Sequence, residues 1–178
     1  MNRILERIAS CVAVTGAVAL MLGAACYVVG FRINTTRSIP VGLYWTSRVP
    51  VAKNTYVMFC PPNVSIFAVA RKRGYIDDGV CPGGYGYMMK RVAATKGDIV
   101  NVTDTGIRVN GHLLPHSKPL AADPGGRPLQ RWQNEHYTLD DSELLLMSDV
   151  SDLSFDGRYF GPINRSQIKS VIRPILTW

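Results

Sequence analysis

The sequence predicts a mostly β protein in which a single N-terminal transmembrane helix precedes a small β-rich domain. Two observations support this fold class: residues 9–31 contain no charged side chain, and the short β-prone runs that follow are separated by Gly, Pro, Asn or Asp. A chain of 178 residues that is 47% hydrophobic has room for one membrane segment and one domain of about 100 to 150 residues. This hydrophobic content also excludes an intrinsically disordered chain.

The apolar segment at residues 9–31 has the length of a membrane span. At about 1.5 Å rise per residue, a helix of this length crosses a hydrocarbon core of about 30 Å. Arg3 and Arg7 precede it, as in a cleaved signal peptide, but the apolar run exceeds the usual signal-peptide core of roughly 7 to 15 residues. We therefore expect a retained anchor. Arg32 and Arg37 balance the two N-terminal arginines, so the positive-inside rule does not decide its orientation.

Five β-prone runs follow the anchor, and they read as strands and hairpins. They are "NTYVMF" at 54–59, "YGYMMKRVAA" at 85–94, "DIVNVT" at 98–103, "GIRVNGHLL" at 106–114 and "ELLLMSD" at 143–149. Within the fourth run, Asn110-Gly111 is a hairpin turn, because both residues tolerate positive φ. One helix is predicted in this domain, at residues 63–74 after the Pro61-Pro62 break. Residues 120–135 read as a loop.

The net charge of +7 is spread along the chain. Such a charge suits contact with anionic lipid headgroups. The one tight basic cluster is "RKRG" at residues 71–74, and no nucleic-acid-binding motif accompanies it. Nucleic acid is therefore not expected as a partner.

The four cysteines fall into two pairs. Cys11 and Cys26 lie in the apolar segment, where an inert thiol is the default interpretation. Cys60 and Cys81 flank the predicted helix and could form a disulfide worth about 3 kcal/mol if the domain faces an oxidising compartment; free thiols are the alternative. No paired CxxC motif or nearby histidine completes a metal-ligand set, so neither a metal nor a cofactor is expected.

Ser38 and Lys90 are the candidates for chemistry. Ser38 sits in "TTRSIPVGLYW", and a serine hydroxyl needs a base to remove its proton as it attacks a carbonyl. A lysine can be that base if its pKa falls from about 10.4 to roughly 7 to 8. In a strand, alternation places Lys90 on one face with Met88 and Val92, which is an apolar setting. A lysine whose amine reaches solvent along an apolar stem is the structural alternative.

Three motifs resemble those of type I signal peptidases. "SIPVGLYW" from Ser38 resembles their serine box, "MKRVAATKGD" from Met89 their lysine box, and "SFDGRYFGPI" from Ser154 their C-terminal box. The boxes occur in the family's order behind an N-terminal anchor. The small size and the "PVGLYW" continuation are most similar to the members of this family that serve conjugative plasmid transfer.

The resemblance implies a role for each matching residue. Ser38 would be the nucleophile and Lys90 the general base. Thr36 matches a position whose hydroxyl donates to the oxyanion, with the Ser38 backbone N–H as the second donor. Ser154 matches a serine that orients the lysine.

Asp156 and Arg158 match a supporting pair near the site, and a surface salt bridge is the alternative for these two residues. The chain departs from the family pattern in having "MSDVSD" at 147–152, where a Gly-Asp-Asn turn is usual. It also has Gly157 where a serine is frequent. These departures leave the Ser/Lys dyad intact and concern the geometry on the substrate side.

The resemblance also implies an organisation and a location. Residues 1–8 would be a short cytoplasmic N-terminus, 9–31 a single-pass anchor in the inner (cytoplasmic) membrane, and 32–178 a periplasmic peptidase domain with the minimal signal-peptidase-like β-rich core. A periplasmic domain would permit a disulfide between Cys60 and Cys81.

The function implied is a membrane-anchored Ser/Lys endopeptidase that matures a conjugative pilin precursor, as required for pilus assembly and plasmid transfer. Head-to-tail cyclisation of the pilin through the acyl-enzyme is a further expectation. The expected partners are the pilin precursor, the lipid of the cytoplasmic membrane and other mating-pair-formation proteins. A general type I signal peptidase that cleaves secretory preproteins is one alternative. A non-enzymatic assembly factor of the transfer apparatus is the other.

Overall fold

The apolar N-terminal segment forms one helix, α1 (Asn2–Val28), in a computed structural model that describes residues 2–178. Residues 3–28 are long and apolar enough to cross a membrane, a property that a signal sequence shares. The helix starts before the predicted span and stops three residues short of it. Gly30 follows with φ of 107°, a backbone conformation that suits glycine and ends a helix. Residues up to Arg32 form one compact unit, and Ile33–Trp178 form a second.

The second unit is built mainly of strands. The strands of the chain are β1 (Phe31–Asn34), β2 (Gly42–Ser47), β3 (Tyr56–Phe59), β4 (Asp78–Cys81), β5 (Met88–Ala94), β6 (Ile99–Thr103), β7 (Gly106–Val109), β8 (His112–Leu113), β9 (Tyr137–Thr138), β10 (Glu143–Met147), β11 (Ile163–Asn164) and β12 (Ile168–Thr177). The helices are α2 (Ser65–Lys72) and α3 (Gly157–Phe160), with 3₁₀ turns at Pro82–Gly84 and Arg165–Gln167. The prediction of a mostly β domain behind an apolar N-terminal helix is confirmed.

The strands form two sheets. The larger has the order β1-β2-β12-β3-β5-β10-β11, and the smaller has the order β8-β7-β6-β9. The turn between β7 and β8 contains Asn110 and Gly111 with φ of 51° and 82°, as the hairpin prediction requires. Each of the five predicted β-prone runs contains a strand, and α2 lies inside the predicted helix.

Four strands of the large sheet were not anticipated: β1, β2, β11 and β12. The longest, β12, runs between β2 and β3 and contains Pro174, a residue that argues against a central strand. The structure accommodates it because the pairing of β12 with β2 shifts register between Pro174 and Leu176, a β-bulge at which a missing N–H is tolerated.

Side chains of β5 pack into different cores. Met88 and Val92 belong to a core that includes Phe67 of α2, whereas Ala93 belongs to a core shared with the small sheet. Lys90 lies between Met88 and Val92 on the same side of the strand, since side chains alternate. The fold therefore directs Lys90 toward the apolar interior.

Candidate active site

The amine of Lys90 lies at the centre of a buried cluster of polar side chains. The residue is 1% exposed. Its Nζ donates to Ser38 Oγ at 2.6 Å and to Ser154 Oγ at 2.8 Å. Three residues from distant parts of the sequence thus meet at one amine.

The same burial makes the protonated amine of Lys90 a stronger acid than that of an ordinary lysine. Its pKa falls from 10.5 to about 8; desolvation is the main cause, the negative charge of Asp156 opposes the shift, and the positive charge of Arg158 adds to it. Near neutral pH, an appreciable fraction of the amine is therefore uncharged and able to accept a proton.

Ser38 lies in the connection between β1 and β2. The next residue, Ile39, is fully buried and packs with Tyr44, Met58 and Ile172. The burial of Ile39 fixes the connection to the sheet, while the hydroxyl of Ser38 lines a cavity of about 290 Å³. The packing of Ile39 therefore anchors the segment that carries the serine.

Thr36 lines the same cavity as Ser38, as its expected role requires. Its hydroxyl donates to Oδ1 of Asn34 at 2.9 Å. Asn34 is 4% exposed and was not identified from the sequence. The sequence signal that could have indicated Asn34 was its residue type, because an asparagine side chain commonly bonds to backbone groups of its own turn.

Asp156 and Arg158 form a buried ion pair. Both side chains are 0% exposed, and Arg158 donates to both carboxylate oxygens, from Nε at 2.8 Å and from Nη2 at 2.9 Å. The surface salt bridge considered as the alternative is therefore wrong. Arg158 also donates from Nη2 to the carbonyl of Ser154 at 2.7 Å and from Nη1 to that of Asp152 at 2.8 Å. The pair thus holds the backbone that carries Ser154.

One wall of the cavity comes from residues 120–130, which we call the strap. The strap contributes Leu120, Asp123, Pro124 and Leu129 to the lining. Asp123 accepts hydrogen bonds from the hydroxyl of Tyr75 and from Nε of Arg127, and the bond from Tyr75 contributes most to lowering its pKa. The carboxylate therefore stays charged and holds the strap against Tyr75.

Cys60 and Cys81 form a disulfide. The segment between them carries α2 and Tyr75, so the bond encloses the part of the chain to which the strap is attached. Among the residues that the structure describes, no group of three or more His, Cys, Asp or Glu side chains is arranged to hold a metal ion.

Comparison with known proteins agrees with the three sequence boxes. A family described as "Signal peptidase, peptidase S26" matches residues 5–177. The chain belongs to this peptidase family. Two plasmid transfer proteins TraF of Escherichia coli are each 64% identical to it. One match spans 173 residues, or 97% of this chain and 98% of the relative, and the other spans 178 residues and the whole of both chains. A conjugal transfer protein TraF of Agrobacterium tumefaciens (strain 15955) is 36% identical over 159 residues, 88% of each chain.

The structure shows the surroundings of the two departures from the family pattern. A Cβ at Gly157 would lie 2.8 Å from Cδ1 of Leu145 and 2.9 Å from the carbonyl oxygen of Leu146. This position, at which a serine is frequent in the family, therefore leaves no room for a side chain in this chain. Within residues 147–152, Ser148 Oγ accepts the backbone N–H of Ser151 at 3.1 Å. Ser154 lies at the amine of Lys90 despite both departures.

Proposed function

We propose that this chain is a membrane-anchored serine endopeptidase in which Ser38 is the nucleophile and Lys90 the general base. One observation carries the proposal: a buried lysine amine with a lowered pKa lies 2.6 Å from a serine hydroxyl at a cavity. This distance is within the hydrogen-bond reach that proton transfer requires.

The chemistry follows from the two protonation states of the amine. The neutral amine accepts the proton of Ser38 as Oγ attacks the scissile carbonyl, and the ammonium then gives that proton to the leaving amine. An acyl-enzyme remains, and water activated by the same amine releases it. Ser154 accepts an N–H from Lys90 throughout, which leaves the lone pair directed at Ser38. Arg158 supports this geometry through the carbonyl of Ser154.

The negative charge that develops on the scissile oxygen needs donors. The backbone N–H of Ser38 and the hydroxyl of Thr36 would form the oxyanion hole, since both lie on the segment that presents the nucleophile. The Thr36 hydroxyl has one proton, so it would turn from Oδ1 of Asn34 to donate to the oxyanion. Loss of one such donor in other hydrolases costs about 3 to 4 kcal/mol of transition-state stabilisation. Thr36→Val, which retains the side-chain shape, tests this role.

The names of the relatives support a substrate in plasmid transfer. They are called plasmid transfer and conjugal transfer proteins, and we assign to this chain the maturation of a conjugative pilin precursor for pilus assembly. α1 would anchor the enzyme in the inner membrane, with the domain on the periplasmic side beside other mating-pair-formation proteins. An oxidising compartment would favour the disulfide between Cys60 and Cys81.

Cyclisation would use the same acyl-enzyme. The N-terminal amine of the pilin would attack the acyl carbonyl in place of water, so that a peptide bond forms and Ser38 leaves with its proton restored. This outcome needs a positioned amine and the exclusion of water. The apolar side chains of Leu120, Pro124 and Leu129 in the wall of this cavity of about 290 Å³ would favour water exclusion.

Mass spectrometry of the candidate pilin, produced with and without this protein, tests the proposal. Wild-type enzyme should cut the precursor, and a cyclic product should be one water lighter than the linear mature chain. Ser38→Ala and Lys90→Ala should both leave the precursor intact. Lys96→Ala is the matched control, because Lys96 is an exposed lysine paired with Asp141.

Two results would change the assignment. Normal maturation by both Ser38→Ala and Lys90→Ala would favour the non-enzymatic assembly factor. Comparable cleavage of unrelated secretory preproteins would favour the general signal peptidase.

A further inference from the structure

Asn34 connects both sides of the segment that carries Ser38. Its Nδ2 donates to the carbonyl of Thr36 at 2.8 Å, before the serine, and to the carbonyls of Ile39 and Pro40 at 3.0 Å each, after it. Its Oδ1 accepts from the backbone N–H of Thr36 at 3.2 Å as well as from the Thr36 hydroxyl. One side chain thus bonds to residues on both sides of the nucleophile.

The chemistry of these partners fixes the orientation of the amide. Nδ2 has two hydrogens and faces three carbonyl oxygens, so one hydrogen is shared, while Oδ1 has two lone pairs and faces two donors. The opposite orientation would set the amide oxygen against three carbonyl oxygens. Asn34 is 4% exposed, so water does not replace these bonds readily.

These contacts control the geometry that the proposed reaction needs. The carbonyls of Thr36 and Ile39 belong to peptide groups near Ser38, and their positions constrain the direction of the Ser38 hydroxyl and backbone N–H. The single proton of the Thr36 hydroxyl is donated to Oδ1, so Asn34 sets the orientation of that hydroxyl beside the cavity. The carbonyl of Pro40 also accepts from Tyr44 at 2.5 Å, which joins this network to the core.

We propose that Asn34 is a positioning residue, which holds the hydroxyl and the backbone N–H of Ser38 in the geometry for attack. The proposal rests on the proposed function, because it concerns the same nucleophile. It extends that function to a residue that does not touch the substrate and acts through the backbone on both sides of Ser38.

The test measures acylation of Ser38 by p-nitrophenyl acetate, which does not depend on the identity of the pilin. Ser38 Oγ bonds to the acetyl carbon as its proton passes to Lys90, the ester bond breaks, and the release of p-nitrophenolate is followed by absorbance. Mass spectrometry locates the acetyl group, and Ser38→Ala gives the background. In the detergent-solubilised full chain, Asn34→Ala should lower the acylation rate on the order of 100-fold, since a misplacement of about 1 Å has an effect of this size.

One readout and one control variant separate positioning from a merely structural role. The pH midpoint of acylation should stay near that of the wild type, because burial and the charges of Asp156 and Arg158 set the pKa of Lys90. Asn164→Ala is the matched control: Asn164 bonds to the backbone N–H of Ser166 in a turn outside the cavity lining, and its loss should leave the rate unchanged.

The outcomes are distinct. A wild-type acylation rate in folded Asn34→Ala overturns the positioning role and leaves the peptidase assignment standing. A wild-type protein that is not acylated at Ser38 overturns the peptidase assignment, and the positioning role with it. If Asn34→Ala does not fold, Asn34→Ser, which keeps one donor and one acceptor, should fold and show a smaller rate loss. An unchanged rate in that variant would equally overturn the role.

Discussion

Replacing Lys90 with methionine should make the folded domain more stable at pH 7 while it abolishes catalysis. Burial lowers the pKa of Lys90 from 10.5 to about 8, and each pKa unit corresponds to about 1.4 kcal/mol. The buried charge therefore costs about 3 kcal/mol below pH 8. As the pH rises from 8 to 10.5, the folded state has released its proton while the unfolded state still holds one, so the wild type gains stability. Lys90→Met lacks this gain.

Urea unfolding of the full chain in nonionic detergent, at pH values from 7 to 10, measures this effect. Trp45, Trp132 and Trp178 are the only tryptophans, so fluorescence reports on the second unit alone. The stability advantage of Lys90→Met should shrink by about 2 to 3 kcal/mol over this range. Lys96→Met, at an exposed position, should show no such change. A pH-independent difference between Lys90→Met and the wild type would refute a lowered pKa and, with it, the reason for Lys90 as base.

Three further predictions concern the site and its support. The kcat/KM of cleavage should rise with pH to a plateau, with a midpoint near 8, because only neutral Lys90 accepts the Ser38 proton; a flat profile from pH 6 to 9 would contradict this. The double variant Cys60→Ser/Cys81→Ser should lower the free energy of unfolding by about 3 kcal/mol, measured in urea; an unchanged midpoint would show that the disulfide contributes nothing. Tyr75→Phe should raise KM severalfold more than it lowers kcat, because it frees the strap; Tyr137→Phe, which loses a hydroxyl-carboxylate bond away from the cavity, is its control.

Much of the fold was predictable because its signals are local. Short β-prone runs bounded by turn residues located β5 and β10, and Asn110-Gly111 located the hairpin of β7 and β8. β12 was not predicted because Pro174 argues against a central strand, and a strand accommodates it only through a bulge opposite β2. Its neighbours in the sheet lie far away in the sequence, and no local pattern states which strands pair.

Part of the candidate site was likewise predictable from local signals. The three boxes indicated the peptidase family, and alternation placed Lys90 on an apolar face. The burial of the Asp156 and Arg158 pair was not readable, since the same residues suit a surface salt bridge. Asn34 was missed because its importance comes from three carbonyl acceptors that converge only when the connection between β1 and β2 is folded.

The sequence by itself determined the apolar N-terminal helix, the β-rich class of the domain and the peptidase family, because these follow from composition, periodicity and short motifs. The tertiary structure alone decided that the amine of Lys90 reaches Ser38 across 52 positions of the chain, and that its surroundings lower its pKa. Distances and desolvation depend on how the strands of the large sheet are ordered. That order is set by contacts between segments remote in sequence, which no single segment encodes.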